Sequence, residues 1–255
     1  MTIPKIIHYC WFGKKEKPEL LKSCINSWTL LSDYSIVEWN ESNYDVTSHC
    51  FTDKMYAAGK FAYVADYVRL KILYNFGGIY FDADVEVKKR FDDSFLQYGI
   101  FLPFSFDCAL STAIIGAEKG NGIIADLLRY YDSVDDDFHV NNTLITKFFL
   151  NHYSDFRLNN KFQVLGENIA VYPKEYFDCP SNDENMGYSV HHALGSWQDK
   201  TFYKNKYVNE VFVLVMRLII TILKFTFGEP LYAQYRRRYS ARKTQFYDIY
   251  LQHNK

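Results

Sequence analysis

Apolar positions along the first third of the chain fall into alternating strand and helix patterns. "KIIHYCWF" (Lys5 to Phe12) is a nearly unbroken apolar run closed by Gly13, the pattern of a strand buried on both faces. "KPELLKSCINSWTLL" spaces Leu20, Leu21, Cys24, Ile25 and Trp28 at helical intervals, with Pro18 near the first turn. "YSIVEWN" predicts a second strand. "KFAYVADYVRLKILYNF" carries Phe61, Ala65, Val68, Ile72 and Phe76 on one helical stripe, and Gly77-Gly78 stops it. "IYFDADVEV" then predicts a third strand. The order βαβαβ argues for an α/β fold with helices on the faces of a sheet.

The last fifty residues follow another pattern. "EVFVLVMRLIITILKFTFGEP" is apolar almost all round, with Glu210, Arg217, Thr221 and Lys224 forming one narrow polar stripe on a helix. Beyond Pro230 comes a basic cluster of Arg236, Arg237, Arg238, Arg242 and Lys243. Residues 1–206 therefore divide from a C-terminal helical appendage, 207–255. Three readings suit the appendage. It packs on the first unit, it joins a second copy in a homodimer, or it lies in the headgroup plane with its basic cluster on anionic lipid.

Charge and composition narrow the function. The formal net charge of -1 gives no reason to expect a nucleic-acid partner. Aromatic residues make up 18% of the chain, which suits sugar-stacking surfaces or a plain aromatic core. Five scattered cysteines with no CxxC pair read as reduced thiols in a cytoplasmic setting. The first apolar stretch is too short and broken for a secretory signal, and no uncharged apolar run reaches 18 residues.

The chemistry concentrates in "GGIYFDADVEV". Strand alternation puts Tyr80, Asp82 and Asp84 on one face and Ile79, Phe81, Ala83 and Val85 on the other. The two carboxylates then emerge where the strand leaves the sheet, the end at which open α/β sheets bind ligands. Two adjacent carboxylates repel, and a Mg²⁺ or Mn²⁺ ion bearing a diphosphate offsets that cost. A solvated acidic turn is the plainer reading, although the flanking apolar residues oppose it. Asp66 and Arg69 sit three apart on the preceding helix. They form either a surface ion pair worth a few tenths of a kcal/mol or part of the same site.

The segments "IPKIIHYCWFG", "AYVADYVRLKILYNFGGIYFDADVEV" and "HHALGSW" resemble glycosyltransferase family 32, the DXD-motif sugar transferases. The resemblance covers roughly residues 3–90 and the "HHALGSW" segment well. It implies a GT-A fold, a Rossmann-like mixed sheet binding a nucleotide sugar, a UDP-hexose, through Mn²⁺ or Mg²⁺. It implies that Asp82 and Asp84 are the DXD pair, Asp84 as direct metal ligand and Asp82 contacting ribose or sugar and the metal shell. Asp66 and Arg69 match the pair that bonds donor-sugar hydroxyls, and Tyr80 matches a donor contact. Trp11 matches an aromatic that stacks on the donor base, a core tryptophan being the alternative. Ser196 and Trp197 match residues near the diphosphate, and Asn141 or Asn142 a polar sugar contact. A histidine of "HHALGSW" supplies the third protein ligand. His191 is preferred because Val190 and His192 share a face and the valine face is expected to be buried; His192 stays open. The implied reaction is hexosyl transfer with retention to a glycan acceptor, a lipid-linked oligosaccharide at the inner face of the cell membrane. A toxin-like protein glycosyltransferase and a non-catalytic nucleotide- or glycan-binding module are the alternatives.

Overall fold

The computed structural model describes residues 2–133, 141–166, 168–181, 183–193 and 245–254. The chain opens with β1 (Ile6–Cys10), α1 (Glu19–Ser27), β2 (Ser35–Trp39), α2 (Cys50–Ala57), α3 (Phe61–Phe76) and β3 (Gly78–Phe81). This is the predicted βαβαβ order with one helix, α2, added. There follow β4 (Val85–Val87), β5 (Ile100–Phe106), β6 (Ala109–Leu110), β7 (Ile114–Ala117), α4 (Gly122–Ser133) and α5 (Asn141–His152). The last described elements are β8 (Gln163–Leu165), β9 (Ile169–Tyr172), α6 (Lys174–Phe177), β10 (Ser189–His191) and α7 (Tyr247–His253).

The main sheet runs β2-β1-β3-β7-β5-β9-β8, with β6 paired to β5. β2, β1 and β3 are parallel, β7 is antiparallel to both β3 and β5, and β5 is parallel to β9. The expected α/β class, a mixed sheet flanked by helices, is therefore the fold observed. β4 and β10 form a separate antiparallel pair. Apolar cores lie on both sides of the sheet, one gathered around α3, α4 and α5 and the other around Trp28, Phe95 and Phe177.

The stripe predicted on α3 is shifted. Val64, Tyr67, Val68, Leu70, Ile72 and Leu73 are buried, while Phe76 is exposed. The helix is pressed between the sheet and its neighbours, so more than one stripe is covered. Gly77 and Gly78 both adopt positive φ, 67° and 110°. A Cβ on Gly78 would stand 2.6 Å from the Ile6 carbonyl oxygen. Glycine here supplies both the backbone conformation that ends α3 and the clearance that lets β3 enter the sheet beside β1.

His8 pins this turn. The Trp39 indole N–H donates to His8 Nδ1 at 3.1 Å. Nε2 must then carry the ring proton, which it donates to the Gly77 carbonyl at 2.9 Å. At the C-terminal end, Phe246 is buried in the core, and Asn254 and His253 bond the main chain of Leu158. Residues 245–254 are thus packed on the body of the fold. The predicted 207–227 helix and the basic cluster lie outside the described residues. Among the described residues no helix is long and apolar enough to cross a membrane.

Burial lowers the pKa of His8 below its ordinary value of about 6.5, with the Gly77 hydrogen bond opposing. The unfolded chain therefore takes up this proton first. The contribution to stability is present above about pH 6.5 and falls as the pH drops below it. His8→Gln removes the titrating ring. Its thermal midpoint is expected to fall less than the wild type's on going from about pH 7.5 to about pH 5.5. Equal acid losses in the two proteins would assign the effect to another group.

Candidate functional site

The aspartate pair does not continue a strand. β3 ends at Phe81, Asp82 N–H donates to the Ala113 carbonyl at 2.8 Å, and Val85 N–H donates to the Asp82 carbonyl at 3.0 Å. Asp82, Ala83 and Asp84 form a tight turn that carries the chain out of the main sheet into β4. The expected alternation through Tyr80, Asp82 and Asp84 therefore fails at Asp82. The physical reason is the change of partner: β3 pairs with β1 and β7, whereas β4 pairs only with β10 among the described strands. The register of that second pair sets His191 opposite Val85. His192 N–H then donates to the Asp84 carbonyl at 3.1 Å.

This geometry brings Asp82, Asp84 and His191 together, each offering a ligand atom within 4.8 Å of the others. His191 Nε2 lies 3.4 Å from Asp84 Oδ1 and 4.0 Å from Asp82 Oδ2. Neighbouring ligands of an octahedral ion with bonds of about 2.1 Å lie about 3 Å apart, and opposite ones about 4 Å. The spacing therefore fits a small divalent cation. An imidazole with two carboxylates is a donor set suited to Mn²⁺, and carboxylates alone would equally suit Mg²⁺. His192 turns elsewhere, its Nε2 lying 3.0 Å from Glu86 Oε2. The reasoning that favoured His191 is corrected in one respect. Val190 is only half-buried, and Ser189 is the fully buried residue of β10.

Burial alone would lower the pKa of His191. Hydrogen bonds to Asp178 and Asp84 and the charges of Asp178 and Asp82 outweigh burial and hold it well above the ordinary histidine value.

Arg69 and Asp66 are not a surface pair. Arg69 is 4% exposed, and its guanidinium donates to Asp66 Oδ1 at 2.7 Å and to the Thr112 carbonyl at 2.6 Å. It lies 3.2 Å from Asp82 Oδ1 and over the Tyr80 ring at 4.6 Å. The Tyr80 hydroxyl donates to the same Asp82 oxygen at 3.2 Å. Asp82 thus divides its carboxylate, Oδ1 toward Arg69 and Tyr80 and Oδ2 toward His191. Burial pushes the Asp66 carboxyl up to about 6, with the Arg69 charge opposing. Asn141 is buried and donates to the Asp66 carbonyl at 3.2 Å, while Asn142 Oδ1 accepts from Thr112 Oγ1 at 2.7 Å. Both asparagines brace the scaffold around the pair.

Trp11 is half-buried at the carboxyl end of β1, the same sheet edge from which Asp82 leaves the parallel strand β3. Its indole N–H donates to the Lys15 carbonyl at 2.6 Å. Trp11 lines an open cavity of about 390 Å³ together with Lys14, Lys17, Glu38, Asn40 and Ser42. Ser196 and Trp197 lie outside the described residues. Sequence reasoning passed over Asp178, which stands against His191 Nδ1 at 3.3 Å. "YFDCP" carries no spacing signal that could have singled it out.

Three comparisons bear on this site. Residues 18–100 match the family model of the glycosyltransferase sugar-binding region containing the DXD motif. Over 136 residues the chain is 32% identical to inositol phosphoceramide mannosyltransferase 3 of Schizosaccharomyces pombe. That match takes in 50% of the chain but only 37% of the relative. Among solved structures, the PaToxG glycosyltransferase aligns with a TM-score of 0.48 at 21% identity, over 59% of this chain and 69% of that one. A glycosyltransferase involved in glycosylation of the major capsid of PBCV-1 aligns with a TM-score of 0.37 at 10% identity, over 68% and 84%. Asp82 and Asp84 form a D-x-D sequence inside the matched region, which spans less than half of the chain and is similar to the DXD-containing sugar-binding region of glycosyltransferases.

Proposed function

We propose that this chain transfers a hexose from a UDP-sugar to a lipid-linked glycan acceptor, with Mn²⁺ or Mg²⁺ at Asp82, Asp84 and His191 and with retention at the anomeric carbon. The observation that carries the reading is the junction of two groups at Asp82: the three metal-ligand atoms on one side and the buried Asp66–Arg69 pair on the other. When bound, the cation neutralises the diphosphate leaving group as a Lewis acid. Asp84 and His191 would hold it, and Asp82 would complete the protein's share of the ligands. Asp66, kept in place by Arg69 and Asn141, would supply a hydrogen-bonding group to the donor sugar. Its contribution is orientation of the donor. Trp11 receives the base at the open cavity beside β1. No carboxylate is assigned as a covalent nucleophile; attack by the acceptor hydroxyl on the donor's front face, with the leaving phosphate taking the proton, requires none.

The yeast relative is by name a mannosyltransferase for inositol phosphoceramide, a hexose transfer to a lipid. That supports a lipid-borne acceptor here. The apolar 207–227 stretch and the basic cluster support action at the cytoplasmic surface of an anionic membrane, with residues 1–206 as the catalytic unit.

Asp84→Ala is expected to lower transfer at least 100-fold while leaving the melting temperature near wild type, on the order of the loss seen when a direct charge-stabilising group is removed. Turnover is expected to require Mn²⁺ or Mg²⁺. Nucleotide release from a panel of nucleotide sugars measures both, and full turnover in EDTA would refute the metal assignment.

Arg69→Ala is expected to destabilise the fold by about 3–5 kcal/mol, because it leaves Asp66 and Asp82 without their buried counter-charge. Arg69→Lys keeps the charge but not the planar fork, so a folded protein with impaired transfer is expected. Urea unfolding alongside turnover tests this; an Arg69→Ala protein of wild-type stability would contradict it.

The full chain is expected to co-sediment with anionic vesicles and to release at high salt. Replacing Arg236, Arg237 and Arg238 by serine is a better test than truncation, since truncation also removes Phe246 from the core. The substituted chain is expected to lose sedimentation and keep donor hydrolysis. Salt-insensitive or absent sedimentation of the full chain would rule out the membrane reading.

A further inference from the structure

His191 is held on the side away from the two aspartates. Its Nδ1 lies 3.3 Å from Asp178 Oδ1, and its backbone N–H donates to the Asp178 carbonyl at 3.1 Å. Asp178 caps the C-terminal end of α6 and is 9% exposed. Its carboxylate is itself fixed. Ser111 Oγ donates to Oδ1 at 2.8 Å, and Ser105 Oγ donates to Oδ2 at 3.3 Å. Ser111 Oγ in turn accepts from Ala113 N–H at 3.2 Å, and the Ala113 carbonyl holds Asp82 N–H. One hydrogen-bonded chain thus runs from the backbone of the first DXD aspartate to the imidazole of the histidine.

We propose that Asp178 is the positioning residue for the metal-binding histidine, selecting both its tautomer and its direction. The inference rests on the metal assignment at Asp82, Asp84 and His191. A carboxylate only accepts, so a neutral His191 beside it carries its proton on Nδ1. The lone pair is then on Nε2, the atom that faces Asp84 and Asp82. A carboxylate behind a ligating imidazole also raises its basicity as a ligand. His192 stands in contrast. Its Nε2 is turned to Glu86, away from the aspartate pair. Of two adjacent histidines, the one backed by a buried, serine-braced carboxylate is the ligand.

The test measures Mn²⁺ affinity of the full chain by the electron paramagnetic resonance signal of free Mn²⁺, with no nucleotide or acceptor present. Asp178→Asn preserves size and can keep both serine contacts. It is expected to weaken Mn²⁺ binding about 10-fold, and Asp178→Ala between about 10- and 100-fold, the usual range for a partner behind a metal ligand. His191→Ala alone weakens binding through the ligand itself. If Asp178 acts through His191, adding Asp178→Asn to His191→Ala produces no further loss. Because the cycle runs on the isosteric Asn variant, it stands even if Asp178→Ala does not fold. Wild-type affinity in Asp178→Asn would overturn the inference, as would a double variant carrying the full product of the two single losses. A wild-type chain that binds no Mn²⁺ would remove the metal assignment and this inference with it.

Discussion

A guanidinium buried to 4% exposure organises the centre of this protein. Taking such a charge out of water costs several kcal/mol even after relaxation, and only close counter-charges and filled hydrogen bonds offset it. Arg69 meets that demand with Asp66, Asp82, the Thr112 carbonyl and the face of Tyr80. Those partners come from α3, the end of β3 and the segment joining β6 to β7. Satisfying one cation therefore locks three parts of the chain around a point. It also fixes one oxygen of Asp82 and leaves the other to face His191.

The second constraint is repulsion among carboxylates. Asp82, Asp84 and Asp178 all surround His191. A divalent ion between the first two would relieve it and would tie the β3–β4 turn to β10, joining segments far apart in the chain. Metal binding at a site absent from the unfolded chain also adds to the stability of the fold. The β4–β10 pair is what makes such a centre geometrically available, since its register alone sets residue 191 beside the turn.

The aromatic residues serve chiefly the interior. Phe91, Phe95, Phe101 and Phe177 are buried together, with Phe177 stacked on Phe101 at a centroid separation of 5.7 Å. This packing reaches the site indirectly. Phe177 anchors α6, and Asp178 is the next residue. Many of the aromatic residues that suggested sugar-stacking surfaces thus fill the core, while Trp11 is half-buried and lines the cavity.

Local pattern in the sequence determined the βαβαβ beginning, the glycine stop after α3 and the presence of two aspartates at a strand end. These follow from helical and strand periodicity and from the φ freedom of glycine, all short-range properties. Periodicity misled where the partner changed. It extended one strand through Asp82, because alternation cannot register that β3 and β4 belong to different sheets. Spacing likewise left open whether Asp66–Arg69 is a surface ion pair or part of the site, because spacing along a helix is silent on what covers that face. The nearness of His191 rather than His192 to the aspartate pair, the division of the Asp82 oxygens and the place of Asp178 were decided only by tertiary structure. Each depends on distances between residues that the chain brings together by strand pairing and core packing, and such distances leave no trace in local spacing.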